Sequence, residues 1–317
     1  MRDPDYAVLK KLHSIKEWHK LMDFWHKLMF FPRKSSVIMR QRQKEQKEVT
    51  IMDRKMTALI TGSYGGLGTC FVDIHAEKGG GLILVGRDQA KLDEQKERTV
   101  QKYHVAVQTI AADLSRSDAA QNIYDTCKKN GWAVDYLINN AGFGGQGDFT
   151  HERTMEQDIS MIAVNIETPT RLCKLFLPDF VSRGEGKVLN VSSTAATMPG
   201  PLQACYYATK AYMTSWSNAL WRELKGTGVT VTCLMPGAMQ TGFASAGGLS
   251  DIKLFAHAVD PVPVAQDGYN GMLHGKLNVT SGLPGWQKPM MMFAPMFPRK
   301  MMLDFVYGQQ IAGSAGK

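Results

Sequence analysis

Tyr206 and Lys210 stand four residues apart in Tyr206-Tyr207-Ala208-Thr209-Lys210. That spacing places both side chains on one face of a helix, one turn apart. An ammonium held near a phenol favours the phenolate, bringing a group with an ordinary pKa of about 10 closer to proton exchange near neutrality. Upstream lies Ser193, where the apolar run Val188-Leu189-Asn190-Val191 ends in two serines. The run reads as a buried strand. A hydroxyl leaving a strand and a phenol opening the next helix can both reach one carbonyl oxygen, which is the geometry of acid–base chemistry on a ketone or alcohol. By type alone Tyr207 is as available as Tyr206, and Ser192 neighbours Ser193. The lysine spacing and the interval from the serine favour Tyr206 and Ser193, leaving Tyr207 to packing and Ser192 to a backbone role.

These residues need a scaffold, and the flanking segments supply one. A short strand, Thr57–Ile60, runs into Thr61-Gly62-Ser63-Tyr64-Gly65-Gly66-Leu67-Gly68. Glycines at 62, 66 and 68, set between strand and helix, suit close backbone approach to a pyrophosphate at a helix N-terminus. The next strand, Leu82–Val85, ends in Gly86-Arg87. An acidic residue there would bind the ribose hydroxyls of NAD. An arginine instead offers a charge-assisted fork to a 2′-phosphate, which argues for NADP(H) over NAD(H); the competing reading is a solvated surface arginine. His104–Ile110 reads as a strand leading to Asp113-Leu114, and Ser117–Asn130 as a helix. A strand at Tyr136–Ile138 opens onto Asn139-Asn140-Ala141-Gly142, and a helix over Met155–Phe176 contains Asn165. The helix bearing Tyr206 runs to about Leu224, and a last clear strand, Val229–Leu234, ends at Met235-Pro236-Gly237. Apolar runs alternating with amphipathic helices predict an α/β fold, a doubly wound parallel sheet of the Rossmann kind in a single domain. Ligands of such sheets bind at the carboxyl ends of the strands, where all these motifs fall.

In this order the motifs resemble the short-chain dehydrogenase/reductase family, in its compact one-domain form, across residues 56–282. Phe143-Gly144, Pro199-Gly200-Pro201 and Asp260-Pro261 further resemble the branch of 17β-hydroxysteroid dehydrogenases, 3-oxoacyl reductases and bacterial relatives. The resemblance implies Tyr206 as general acid/base, Ser193 as the group that fixes the substrate oxygen, and Lys210 as the cation that lowers the tyrosine pKa and holds the nicotinamide ribose. It implies Asn165 as the anchor of a proton-supplying water chain, although an asparagine there could be purely structural. Ser63, Tyr64, Leu67 and the glycines of the turn would hold the pyrophosphate. Asp113, with Leu114 beside it, resembles the adenine-binding acid, though it could simply cap the following helix. Asn140, Ala141 and Gly142 resemble the turn beneath the adenine ring and ribose. Pro236, Gly237, Met239 and Thr241 match the segment holding the nicotinamide amide. The implied function is an NADP(H)-dependent oxidoreductase interconverting a ketone and a secondary alcohol. The alternative is a cofactor-binding or assembly protein that keeps the fold without turnover. Family members form dimers or tetramers through the helix bearing Tyr206, so a homo-oligomer is expected.

Of the 317 residues 44% are hydrophobic, enough for one large core or two modest ones. Five widely spaced cysteines form no Cys-x-x-Cys pair, which excludes a disulfide framework or zinc site as the organising principle and predicts a reducing, cytoplasmic setting. No metal site is expected. Asn190-Val191-Ser192 and Asn278-Val279-Thr280 match the glycosylation triplet, a pattern short enough to occur by chance. Residues 1–50 hold twelve Lys/Arg against six Asp/Glu, so most of the net +8 belongs to that segment and gives no support to nucleic-acid binding by the body. Within it, Val8, Leu12, Ile15, Trp18, Met22, Trp25 and Met29 form one helical stripe over residues 6–31 among lysines. That helix could lie on a membrane surface, dock on the body or a partner, or be dispensable, with Met52 or Met56 as alternative starts. The expected organisation is therefore a basic helix and polar linker over 1–50 followed by the dinucleotide-binding domain over 51–317. A lid over about 242–260 carries Phe243, Leu249, Ile252, Leu254 and Phe255, which predict a lipophilic substrate of steroid or 3-oxoacyl type. The methionines of Trp286–Tyr307 suit an irregular groove, a partner face or ordinary core.

Overall fold

The computed structural model describes residues 55–249, 258–283 and 298–311. The predicted basic helix over 6–31 and its linker lie outside the described residues. So do Ile252, Leu254 and Phe255 of the lid, and Met290, Met291, Met292 and Met296 of the tail.

Seven parallel strands form one sheet in the order β3-β2-β1-β4-β5-β6-β7. They are β1 (Thr57–Thr61), β2 (Gly81–Gly86), β3 (Val107–Ala111), β4 (Tyr136–Asn139), β5 (Gly186–Val191), β6 (Val229–Pro236) and β7 (Asn278–Ser281). The order reverses at β1 and β4, whose registers pair Leu59 with both Ile83 and Leu137. The helices are α1 (Gly66–Glu77), α2 (Gln89–Tyr103), α3 (Ala119–Lys129), α4 (Met155–Ile162), α5 (Thr168–Arg183), α6 (Ala204–Glu223), α7 (Gly242–Ala246), α8 (Pro261–Leu273) and α9 (Arg299–Ile311).

The central strands are buried on both sides, which is why they read as near-continuous apolar runs. Alternate residues serve opposite layers. Ala58, Ile60, Leu82 and Leu84 pack against Phe71 and Val72 of α1 and Tyr269 and Met272 of α8. Leu59, Ile83, Val85 and Leu137 face Ile123 of α3 and Phe176 and Phe180 of α5. This is the doubly wound sheet expected.

Three local readings change. The strand expected from His104 begins at Val107, because His104 caps α2 in the left-handed region (φ 55°) and donates its amide to the Val100 carbonyl. The helix expected over Met155–Phe176 is interrupted by a π-helical turn, Ala163–Glu167, that carries Asn165, and resumes as α5 to Arg183. Finally, β7 follows what looked like the last strand. It is a short edge strand with Asn278 and Thr280 exposed, so it lacks the apolar run that marks a central strand. Of the two glycosylation triplets, Asn190 is fully buried and hydrogen-bonds to Asn139 and Ser217.

Candidate active site

At the carboxyl end of β1 the chain turns through Gly62, whose φ of +64° suits glycine. A Cβ on Gly68 would overlap the Gly62 carbonyl oxygen, so the first turn of α1 can close on the loop only with glycine there. No side chain caps α1 at Gly65. The uncapped amides and positive end of the helix dipole make this turn a fit cradle for a pyrophosphate. Thr61 ties the turn to its neighbour strand: its hydroxyl accepts from the amides of Asn140 and Ala141 at 3.1 and 3.0 Å. Asn140 returns the contact, donating Nδ2 to the carbonyls of Thr61 and Gly62 at 2.9 and 3.1 Å. The two strand ends flanking the switch in strand order are thus locked together by side chains of the motifs themselves.

Ser63, Tyr64 and Leu67 are committed inward. The Ser63 hydroxyl donates to Gln95 Oε1 at 2.8 Å, while Gln95 Nε2 donates to the Ser63 carbonyl, and Leu67 is buried in the core. Tyr64 lies across the end of β2 and accepts from the amides of Arg87 and Asp88 at 3.0 and 3.2 Å. This leaves Arg87 exposed on the rim. Asp113 stands near it; its carboxyl is held below the usual range by the amide and hydroxyl of Ser115, with the Arg87 and Arg116 cations adding to the effect. Leu114 is buried, its carbonyl accepting from the Thr168 hydroxyl.

Ser193 follows the end of β5 with an extended backbone and accepts the Ala195 amide on its hydroxyl at 3.1 Å. Tyr206 sits in the first turn of α6, its ring 5.6 Å from that of Phe243 and amid Phe143, Ala195 and Met198. Burial pushes its phenol well above the usual range; a hydrogen bond with Ser193 pulls the other way, and Tyr207 adds to the rise. Serine and tyrosine therefore face the same space. Lys210 is 4% exposed and donates Nζ to the Val191 carbonyl at 3.0 Å, lying 5.7 Å from the centre of the Tyr206 ring. Burial pulls its ammonium down to about 8. Here the sequence-based expectation is corrected. Desolvation is the largest effect on both groups and leaves the tyrosine above its ordinary value, not below it.

Asn165, in the π-helical turn, accepts the Phe143 amide at 3.1 Å and donates to the Phe143 carbonyl and the Thr209 hydroxyl. Its side chain thereby joins the loop after β4 to α6. A Cβ on Gly142 would lie 3.1 Å from Asn165 Oδ1 and 3.3 Å from Lys210 Nζ, so that loop passes directly over both. Pro236 ends β6; beyond it Met239 bridges to Val259, and the Thr241 side chain caps α7 and touches Gly66. Apart from the inward-turned Ser63, Tyr64, Leu67 and Leu114, the candidate residues lie along one rim, and the glycine turn, the exposed arginine and the buried lysine fit a nicotinamide dinucleotide.

The model of the short chain dehydrogenase family matches residues 56–248. The chain belongs to the short-chain dehydrogenase family. Curated relatives include the very-long-chain 3-oxoacyl-CoA reductase of Mus musculus, 32% identical over 192 residues, which cover 59% of this chain and 60% of that protein. The reductase of the same name from Pyrenophora tritici-repentis is 36% identical over 200 residues, covering 62% of this chain and 58% of its own length. Each match spans less than two thirds of the relative. A solved short-chain dehydrogenase from Sphingobium yanoikuyae in complex with NADPH superposes with a TM-score of 0.68 at 26% identity, covering 78% of this chain and 95% of its own. A short-chain dehydrogenase/reductase from Burkholderia phymatum in complex with NAD shares the fold at 21% identity, with a TM-score of 0.65, covering 71% of this chain and 88% of its own. Among the described residues no helix is long and apolar enough to cross a membrane, and no cluster of His, Cys, Asp or Glu could hold a metal.

Residues that the sequence did not single out also hold the site. Thr61 lies within the recognised turn but acts through Asn140 and Ala141. Gln146, Gln203 and Gln310 come from three distant segments, with no local pattern to reveal them.

Proposed function

We propose that this protein is an NADP(H)-dependent reductase of a ketone on a lipophilic chain, with a 3-oxoacyl thioester as the substrate class. The observation carrying the reading is the pairing of Ser193 with Tyr206 at a strand end, with Lys210 beneath the tyrosine ring. The bound nicotinamide would supply the hydride to the carbonyl carbon. Ser193 holds the carbonyl oxygen by a hydrogen bond, and Tyr206 delivers its hydroxyl proton to that oxygen as negative charge develops there, giving the secondary alcohol. A phenol raised by burial is fully protonated at neutral pH, the form that reduction requires. The tyrosinate left behind is favoured by the Lys210 ammonium and recovers its proton from solvent through the lysine side.

Arg87 supports NADP(H), since its exposed guanidinium can pair with a 2′-phosphate beyond the end of β2. The apolar lining of Phe143, Met198 and Phe243 around Tyr206 supports a lipophilic substrate, and the names of the relatives supply the acyl class. NADPH oxidation with 3-oxoacyl-CoA esters of increasing chain length tests the reading. Turnover that rises with chain length and is weaker with NADH is expected. No ester-dependent oxidation with either cofactor would overturn it.

A further inference from the structure

One buried polar cluster lies outside the proton-transfer groups. Gln310, near the C-terminal end of α9, is 3% exposed, while Met301, Phe305 and Tyr307 on the same helix face outward. Val306 and Gln310 are the buried residues of α9. Burying a primary amide is costly unless its groups are satisfied, and here they are. Gln310 Oε1 accepts from Gln203 Nε2 at 2.7 Å, its Nε2 donates to the Tyr207 hydroxyl at 3.2 Å, and its backbone carbonyl accepts from Gln146 Nε2 at 3.0 Å. The last contact also satisfies one of the carbonyls that a helix end leaves unpaired.

The partners are not arbitrary. Gln203 is the residue before α6, yet its side chain does not cap that helix; it turns to Gln310 instead. Tyr207 is the next residue after Tyr206, and the two rings meet edge to face at 6.1 Å. Gln146 belongs to the loop after β4, where the Gly147 amide donates to the Leu202 carbonyl at 2.9 Å. Leu202 itself sits at φ +63°, a left-handed conformation unfavourable for a leucine and sustained only by surrounding contacts. The turn that presents Tyr206 therefore begins from a strained residue and is braced from outside by one amide.

We propose that Gln310 is a positioning residue: through Tyr207 and Gln203 it sets where the first turn of α6 holds the Tyr206 hydroxyl. The proposal rests on Tyr206 being the proton donor, but not on the identity of the substrate. In physical terms, α9 is a brace on the first turn of α6, and loosening it lets the turn relax around Leu202.

A mutant cycle of Gln310→Met, Tyr207→Phe and the double variant tests this. Methionine keeps the length of glutamine without its hydrogen bonds, and phenylalanine keeps the ring that packs on Tyr206. With a long-chain 3-oxoacyl-CoA and NADPH, each single variant should lower kcat about tenfold. The double should lose about the same, not a hundredfold, while NADPH affinity by fluorescence titration and KM for the ester stay within twofold. Wild-type kcat in Gln310→Met, or additive losses in the double variant, would overturn the role. A second readout needs no turnover. In full-length protein carrying 3-fluorotyrosine, with the resonance assigned through Tyr206→Phe, the Tyr206 signal should shift in Gln310→Met. An unmoved signal would overturn the proposal even if the ester proved inert, a result that would count against the substrate reading alone.

Discussion

Lys210 lies beneath the ring of Tyr206, 5.7 Å from its centre, with its ammonium donated to the Val191 carbonyl. This arrangement keeps the cation near the phenol without neutralising the cost of burying either group. Desolvation favours the uncharged form of each, raising the tyrosine and lowering the lysine to about 8. The pair is therefore set up for a neutral acid to give up its proton next to a cation that titrates close to neutrality.

Reduction should lose rate on the alkaline side. With a lysine at about 8, the charge favouring the departing tyrosinate disappears as pH rises through that value. The ratio kcat/KM for NADPH reports groups of the free enzyme. It is expected to be level from about pH 6 to 7.5 and to fall above about 8. Alcohol oxidation, which needs the phenolate, should stay low over the same span, since burial holds the Tyr206 phenol above its ordinary range. A reduction profile flat to pH 10 would remove Lys210 from this role.

Tyr206→Phe removes the transferable proton while leaving the ring that packs on Phe243. Turnover should fall by roughly 10² to 10⁴, the usual weight of a positioned general acid, with NADPH affinity within about twofold. Ser193→Ala should cost roughly 10² through the lost donor to the oxygen. Stopped-flow NADPH oxidation and a fluorescence titration separate the two effects, and turnover retained in both variants would mean that another group delivers the proton.

Arg87 offers the sharpest test of cofactor choice. Its backbone is fixed by Tyr64, so shortening the side chain should leave the turn intact. Arg87→Ala is expected to weaken NADPH roughly ten- to hundredfold, as loss of a charge-assisted pair does, while NADH affinity barely changes. Equal weakening of both cofactors would show that the arginine supports the fold of the rim and does not read the 2′-phosphate.

The scaffold and the rim were legible because each motif carries its reason locally: glycines where backbones approach, apolar runs where strands are buried on both faces, a lysine one turn from a tyrosine. What stayed hidden depends on partners far along the chain. The polar edge strand β7 forms because β6 offers it a register, and nothing in Asn278-Val279-Thr280 announces this. Gln203 and Gln310 become a site only once α9 packs beside α6. The direction of the Tyr206 shift could not be read from spacing, since spacing reports a neighbour's charge and says nothing of how much water the fold removes.

His75 should make the fold acid-sensitive. It is 2% exposed in α1, with Nε2 3.0 Å from the Met56 carbonyl and Nδ1 2.7 Å from the Tyr269 hydroxyl. A carbonyl can only accept, so Nε2 carries the proton and Nδ1 takes the phenol proton. A second proton on the ring would place an uncompensated cation in the core and turn that hydrogen bond around, and burial pulls the imidazole down to about 4 from 6.5. Because the folded value is depressed, the unfolded chain binds a proton that the folded chain refuses between these limits. Stability is thus whole above about pH 6.5 and declines as pH falls toward 4, by roughly 3 kcal/mol. Urea unfolding of wild type and His75→Gln from pH 7.5 to 4 measures it. The variant is expected to be less stable at pH 7.5, having lost the ring that meets Tyr136 at 5.6 Å, but to lose distinctly less on acidification. Parallel acid slopes would assign the sensitivity to carboxylates elsewhere and not to this ring.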